Sequence, residues 1–234
     1  MSSSVPQVPA PEAGGPQVVV RGEAVLQVEP ELADVWVTVR VRARDRQTAL
    51  ERCQAAQEQV SAVANGAGDA VETLETTAVS VHLEVRDRRA PGEPVATVST
   101  RLTVSRLDAV GDLVVRLGRL DDVDVTGPTW RLRPESPAVE RARLDAVTDA
   151  VRRARQYAAA FGAHLTGLLE VSDAGLGGGG LRAAVSMASM TRFESSEPHL
   201  DITPPRQEVH GAVEVRFAMS APDSSLWRTE VLPG

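Results

Sequence analysis

Four groups of residues in this 234-residue chain are of a type that could do chemistry, and each lacks a part that the chemistry needs. His82 and Glu84 form an H-x-E pair, which is half of a zinc-deaminase signature, but the P-C-x-x-C half is absent. The other histidines, His164, His199 and His210, stand at no ligand spacing, and zinc needs three or four converging ligands. Residues 175–180 read GLGGGG. A phosphate-cradling loop would need a strand before it, a helix after it, and a Lys-Ser/Thr or a later acidic partner. The chain has no lysine, so a loop is the better reading. Cys53 is the one cysteine, so no internal disulfide can form. It lies on an apolar helical stripe, where burial raises a thiol's pKa and makes it inert. Ser186, Ser189 and Ser195 are nucleophiles only beside a base, and no G-x-S-x-G elbow holds them. No catalytic, metal or cofactor-binding residue is therefore assigned, and the expectation is a protein that is not an enzyme and carries no cofactor.

What remains is chemistry of association. Met187, Met190 and Phe193 sit in a stretch over 174–205 rich in Gly, Ser and Met. They offer adaptable apolar groups to a partner. Arg152 and Arg153, with Arg141, Arg143 and Arg155, mark a charged side of a long helix, and Asp149 four residues before Arg153 makes a favourable helix pair. Trp36, Arg40, Arg42, Arg101, Arg131 and Arg133 share the outer side of predicted strands. An RNA platform on such a face needs stacked aromatics, and Trp36 alone qualifies. The net charge is −7 and the pI about 5.2, the reverse of the basic footprint of nucleic-acid binders. No run of about 18 apolar residues suggests a membrane span. The N-terminus has no basic region followed by an apolar one, so a cytoplasmic location is expected. The expected partner is a second copy, or another protein; neither nucleic acid nor membrane is expected.

The elements that must position these residues follow from periodicity. Aromatics are 3% of the chain, so valine, leucine and alanine must build the core. A strand is predicted over 18–28, with Gly22 as a bulge. Strict alternation over 32–44 puts Val35, Val37, Val39 and Val41 on one face and Asp34, Trp36, Thr38, Arg40 and Arg42 on the other. Asp45 caps a helix whose apolar stripe is Ala49, Cys53, Ala56, Val60 and Val63. A third strand over 71–86 turns Val79, Val81, Leu83 and Val85 inward. A turn over 89–94, a fourth strand carrying Val98, Leu102 and Val104, a short helix over 107–117 and a fifth strand over 123–133, with Gly127-Pro128 as a bulge or edge, complete a β-α-β-β-α-β order. That order predicts a ferredoxin-like unit, an antiparallel sheet with two helices on one face.

Ser136 and Pro137 open the long helix, as N-cap and first-turn proline. Ala142, Ala146, Ala150 and Ala154 give it a face of small residues, and Gly162 ends it. Strands over 165–173 and 209–219 follow. The predicted class is α+β: a ferredoxin-like unit over 30–134, and a second small α/β sandwich built from 17–29 and 135–220, with its helix over 137–161. Residues 1–16 are expected to be disordered, and 221–234 to form a loose tail.

These packing residues, in this order, are similar to those of the SIMPL domain family. The opening pattern is carried by Gly22, Ala24, Pro30, Glu31, Ala33, Val35 and Val37, with Glu31 where the family usually has Asp. Thr48, Ala49 and Leu50 match the start of its first helix; Thr76, Thr77, Val79 and Val81 match a later strand. Ala142, Ala146, Val147, Ala150, Ala154, Tyr157, Ala158 and Gly162 match its long helix, and Val213, Val215 and Phe217 its closing strand. The resemblance implies a protein working by self-association or partner binding. Bacterial members are often periplasmic, some are linked to oxidative stress, one group looks ring-forming, and a mammalian member is an adaptor for a receptor-associated kinase. A small-ligand-binding or signalling adaptor is the alternative.

Overall fold

The computed structural model describes residues 15–85, 92–173 and 200–226. Among them the elements run β1 (Gln17–Val28), β2 (Leu32–Arg42), α1 (Arg46–Asn65), β3 (Val71–Glu84), β4 (Glu93–Val104), α2 (Val110–Gly118), β5 (Val123–Arg131), α3 (Pro137–Ala160), β6 (Leu165–Ser172) and β7 (Gln207–Met219). The class is α+β, with two antiparallel sheets and helices. The chain divides into two compact units. One holds β2 to β5 with α1, α2 and residues 200–206; the other holds β1, α3, β6 and β7.

In the first unit the strand order is β3-β4-β2-β5, and each neighbouring pair is antiparallel. Val35, Val37, Val39 and Val41 alternate onto one face and are fully buried, as a sheet covered on one side requires. Ala49, Cys53, Ala56, Val60 and Ala64 of α1 and Val110, Leu113 and Leu117 of α2 close over them. Asp45 caps α1: its Oδ1 accepts the Thr48 backbone N–H at 2.8 Å, pairing a donor that the helix leaves orphaned. On the opposite face Asp34 is buried. It accepts the Thr103 hydroxyl at 2.9 Å and Arg131 Nε at 2.8 Å, so its charge is both paired and hydrogen-bonded. The register between β2 and β5 shifts opposite Gly127 and Pro128, on the edge strand.

In the second unit the order is β1-β7-β6. Ala142, Ala146, Ala150, Ala154 and Ala158 of α3 are fully buried, and Ala146, Ala150 and Ala154 meet Val20, Val213, Val215 and Phe217. Backbone comes very close here. A Cβ on Gly22 would lie 2.1 Å from the Ala146 carbonyl oxygen, and one on Gly211 would lie 2.1 Å from that of Ala142. Gly22, expected as a bulge, is thus the place where α3 lies directly on a strand. Ser136 Oγ accepts the Ala138 N–H at 3.3 Å at the start of α3. Gly162, with φ +65°, ends it, and the Ala163 N–H reaches back to the Ala158 carbonyl at 2.8 Å. Asp149 ties α3 to β1 by accepting the Glu23 N–H at 3.1 Å.

Three expectations need correction. Val79, Leu83 and Val85, expected inside, are 66%, 53% and 58% exposed; alternation gives them the helix-side face, but no described helix reaches over them. Residues 200–206, expected with the strands around them, cluster with the first unit. Ile202 packs on its core, and Gly111 of α2 leaves room for the Leu200 carbonyl, which would lie 2.0 Å from a Cβ there. The tail expected to be loose from Ala221 is held at its start: the Asp223 N–H donates to the Phe161 carbonyl at 2.8 Å. Residues 1–14 and 227–234, expected as loose ends, lie outside the described residues.

Candidate interaction surface

The most distinctive surface feature is two places where a sheet outruns its helices. A helix with its side chains is about 10–12 Å across, so it covers about two strands spaced ~4.8 Å apart. In the first unit α1 packs mainly on β4 and β2, and α2 on β5. Edge strand β3 is left over. Its Val79 pairs across from Val98, Val81 from Ala96 and Leu83 from Pro94, so these side chains share the helix-side face, yet only Val81 is partly covered. Along α1 the exposed Leu50 and the side chains of Gln54, Gln57 and Glu58 overlook the same floor, with Cys53, Thr76 and Val98 at its base. The result is a step: an apolar floor on β3 and a helical wall on α1.

A second step lies in the other unit. α3 covers β1 and, through Ala142 above Gly211, reaches β7. Edge strand β6 is left over. Leu168 pairs with Phe217 and Val171 with Val215, which puts both on the α3 side, yet they are 57% and 56% exposed. The facing flank of α3 is apolar as well, with Val147 exposed and Val151 half-buried, and Leu144 is exposed on the side of α3 away from its sheet. Among the described residues both β3 and β6 also have one unpaired edge, and an open edge offers a row of free backbone donors and acceptors.

The residues proposed for interaction fall as follows. Met187, Met190 and Phe193 lie outside the described residues, as do the GLGGGG run, Ser186, Ser189, Ser195 and His199. Arg152 and Arg153 are on α3 and both pair with Asp149, Arg153 Nε at 2.8 Å. Asp149 is nearly buried, and the Glu23 backbone N–H, followed by the two arginines, holds its carboxyl below the usual range. These arginines therefore compensate a structural carboxylate.

The other groups weighed for chemistry are occupied. Glu84 pairs with Arg40 and Arg42. Arg101 lies 5.7 Å from the Trp36 ring centre and pairs with Glu75; Arg131 pairs with Asp34 and Arg133 with Glu72. The outer face of the sheet thus neutralises its own arginines. Cys53 is 2% exposed, and burial, with the charge of Asp122, pushes its thiol up. No three His, Cys, Asp or Glu side chains converge as a metal site among the described residues, and no described helix is long and apolar enough to cross a membrane.

Sequence reading missed both steps. The signal was present: Val79, Leu83, Leu168 and Val171 are apolar residues on alternating strands. Whether a helix covers them depends on helix count against strand count, which periodicity does not give.

No curated protein matches the chain. Residues 18–217, a span holding both steps and the alanine face of α3, match the SIMPL family, described as protein of unknown function (DUF541), and the chain belongs to that family.

Proposed function

We propose that this protein works by association with other chains, first of all with copies of itself, and not by catalysis. The observation that supports this is the pair of uncovered apolar steps at β3 and β6. Val79, Leu83, Val85, Leu168 and Val171 are each more than half exposed and gather at two edges. Scattered exposed apolar residues need no explanation, but contiguous apolar patches mark contact sites. The test is the molar mass in solution by light scattering over a concentration series. A mass that is a multiple of 24.9 kDa and rises with concentration is expected. A mass of 24.9 kDa at every concentration would defeat the self-association reading.

A second reading has one observation in its favour. The open groove between α1 and β3 has a volume of about 740 Å³, within the roughly 300–1,000 Å³ of small-molecule sites. An adaptor that binds an apolar small molecule there would be stabilised by it. A thermal-shift screen that finds a compound protecting the monomer supports this reading over the first. A role in oxidative stress rests on the family resemblance; a deletion strain that tolerates peroxide like its parent would remove it.

A further inference from the structure

We infer that the two steps are made for each other: the α1–β3 step of one copy receives the α3–β6 step of a second copy. This rests on the self-association reading and specifies its contact. Each step has a bare apolar strand as its floor and a helix as its wall. Brought together floor to wall, α3 of one copy lies over β3 of the other, and α1 lies over β6 of the first. Val147 then meets Val79 and Leu83, and Leu50 meets Leu168. A helix-width of bare sheet is covered on both sides.

Charge selects this pairing over two identical steps meeting. On the α1 wall Glu51 and Glu58 accept only the amides of Gln47 and Gln54, at 2.7 Å and 3.0 Å, and have no cationic partner among the described residues. On the α3 wall Arg143 and Arg155 fall on the flank that carries Val147 and Val151, at four-residue steps, and neither has a carboxylate partner among the described residues. Most other arginines that flank these elements are neutralised within the fold. Arg46 at the start of α1 and Glu140 at the start of α3 are likewise without an ion pair among the described residues, so the α1 wall carries two such carboxylates against one cation and the α3 wall two such cations against one carboxylate. Two α1–β3 steps would oppose like charges, and so would two α3–β6 steps; the unlike pair attracts. A contact between unlike surfaces leaves one step free on each end of a pair.

The experiment uses two full-length variants, Glu51→Arg/Glu58→Arg and Arg143→Glu/Arg155→Glu, with the mass of each followed by light scattering alone and mixed in equal amounts. None of the four residues forms an ion pair within the described fold, and circular dichroism checks that both variants fold. Each variant alone meets itself with like charges, so its apparent dissociation constant is expected to rise about tenfold or more. The mixture restores opposite charges at both kinds of junction and is expected to assemble as the wild type does. If each variant alone assembles like the wild type, or the mixture fails to recover, this pairing is wrong while self-association stands. If the wild type is itself monomeric, both readings fall. If a variant does not fold, the wild type in rising salt decides: screening should weaken assembly, and a salt-independent mass overturns the pairing.

Discussion

Replacing Gly22 by alanine adds one methyl group at the point where α3 lies on β1. That carbon would sit 2.1 Å from the Ala146 carbonyl oxygen, 2.6 Å from the Ala150 nitrogen and 2.7 Å from the Ala150 Cβ, where ordinary contact begins at 3.4 Å. Two of the three neighbours are backbone atoms, so no side-chain rotation relieves the clash. Helix and strand must part by about an ångström, which loosens Ala146, Ala150 and Ala154 from Val20, Val213 and Val215. Overpacking of this kind costs about 1–3 kcal/mol, and alanine's smaller unfolded-state entropy returns about 0.4–1 kcal/mol. The net loss of about 1–2 kcal/mol lowers a melting midpoint by about 2–8 °C in a chain of this size. Far-UV circular dichroism during thermal and urea unfolding reads it. The control is Gly118→Ala, where no neighbour stands within 4 Å of the added carbon, and the change should stay within about 0.5 kcal/mol. A Gly22→Ala midpoint indistinguishable from that of Gly118→Ala would refute the close helix–strand contact.

Other expectations follow from the same geometry. Ala150→Leu should cost about 1–3 kcal/mol by overpacking without changing the solution mass; unchanged stability with a changed mass would move this face of α3 to a subunit interface. Asp149 has its folded pKa held down by the Glu23 N–H and by Arg152 and Arg153. Its contribution is therefore present above the unfolded carboxylate value of about 3.9 and is lost as pH falls through the lower folded value. Asp149→Asn should flatten stability against pH below about 4, and an unaltered acid limb would contradict this. Cys53, buried and with its thiol pushed up, should react slowly with a thiol reagent at neutral pH and fast in urea; rapid native labelling would contradict its placement.

Much of the fold was legible because local chemistry and burial coincide. The alternation of Val35, Val37, Val39 and Val41 is the buried face of β2, and the four-residue run of alanines is the buried face of α3. Asp45 and Ser136 cap the helices that their types suggest. What was not legible depends on what lies above a face. β3 alternates as β2 does, but it is an edge strand beyond the reach of α1. Gly22 reads as a flaw in a strand until α3 is seen resting on it. Ile202 belongs to a different core from the strands on either side of it, and no periodicity in a seven-residue stretch could say so. The unneutralised charges of Glu58 and Arg155 look like any other surface charges until their neighbours are known.

The strand order β1-β7-β6 has a temporal consequence. β1 is made before β2 to β5, and β7, its neighbour in the sheet, is made after them. A chain emerging at about 5–20 residues per second can complete β2 to β5 with α1 and α2 while α3 is still to come. β1 meanwhile waits with Val18 and Val20 unsheltered at least until α3 has been made. The unit that holds β1, α3, β6 and β7 thus forms through contacts of very long sequence separation, the kind that close slowly. During synthesis the exposed strand is the segment that a chaperone would have reason to hold.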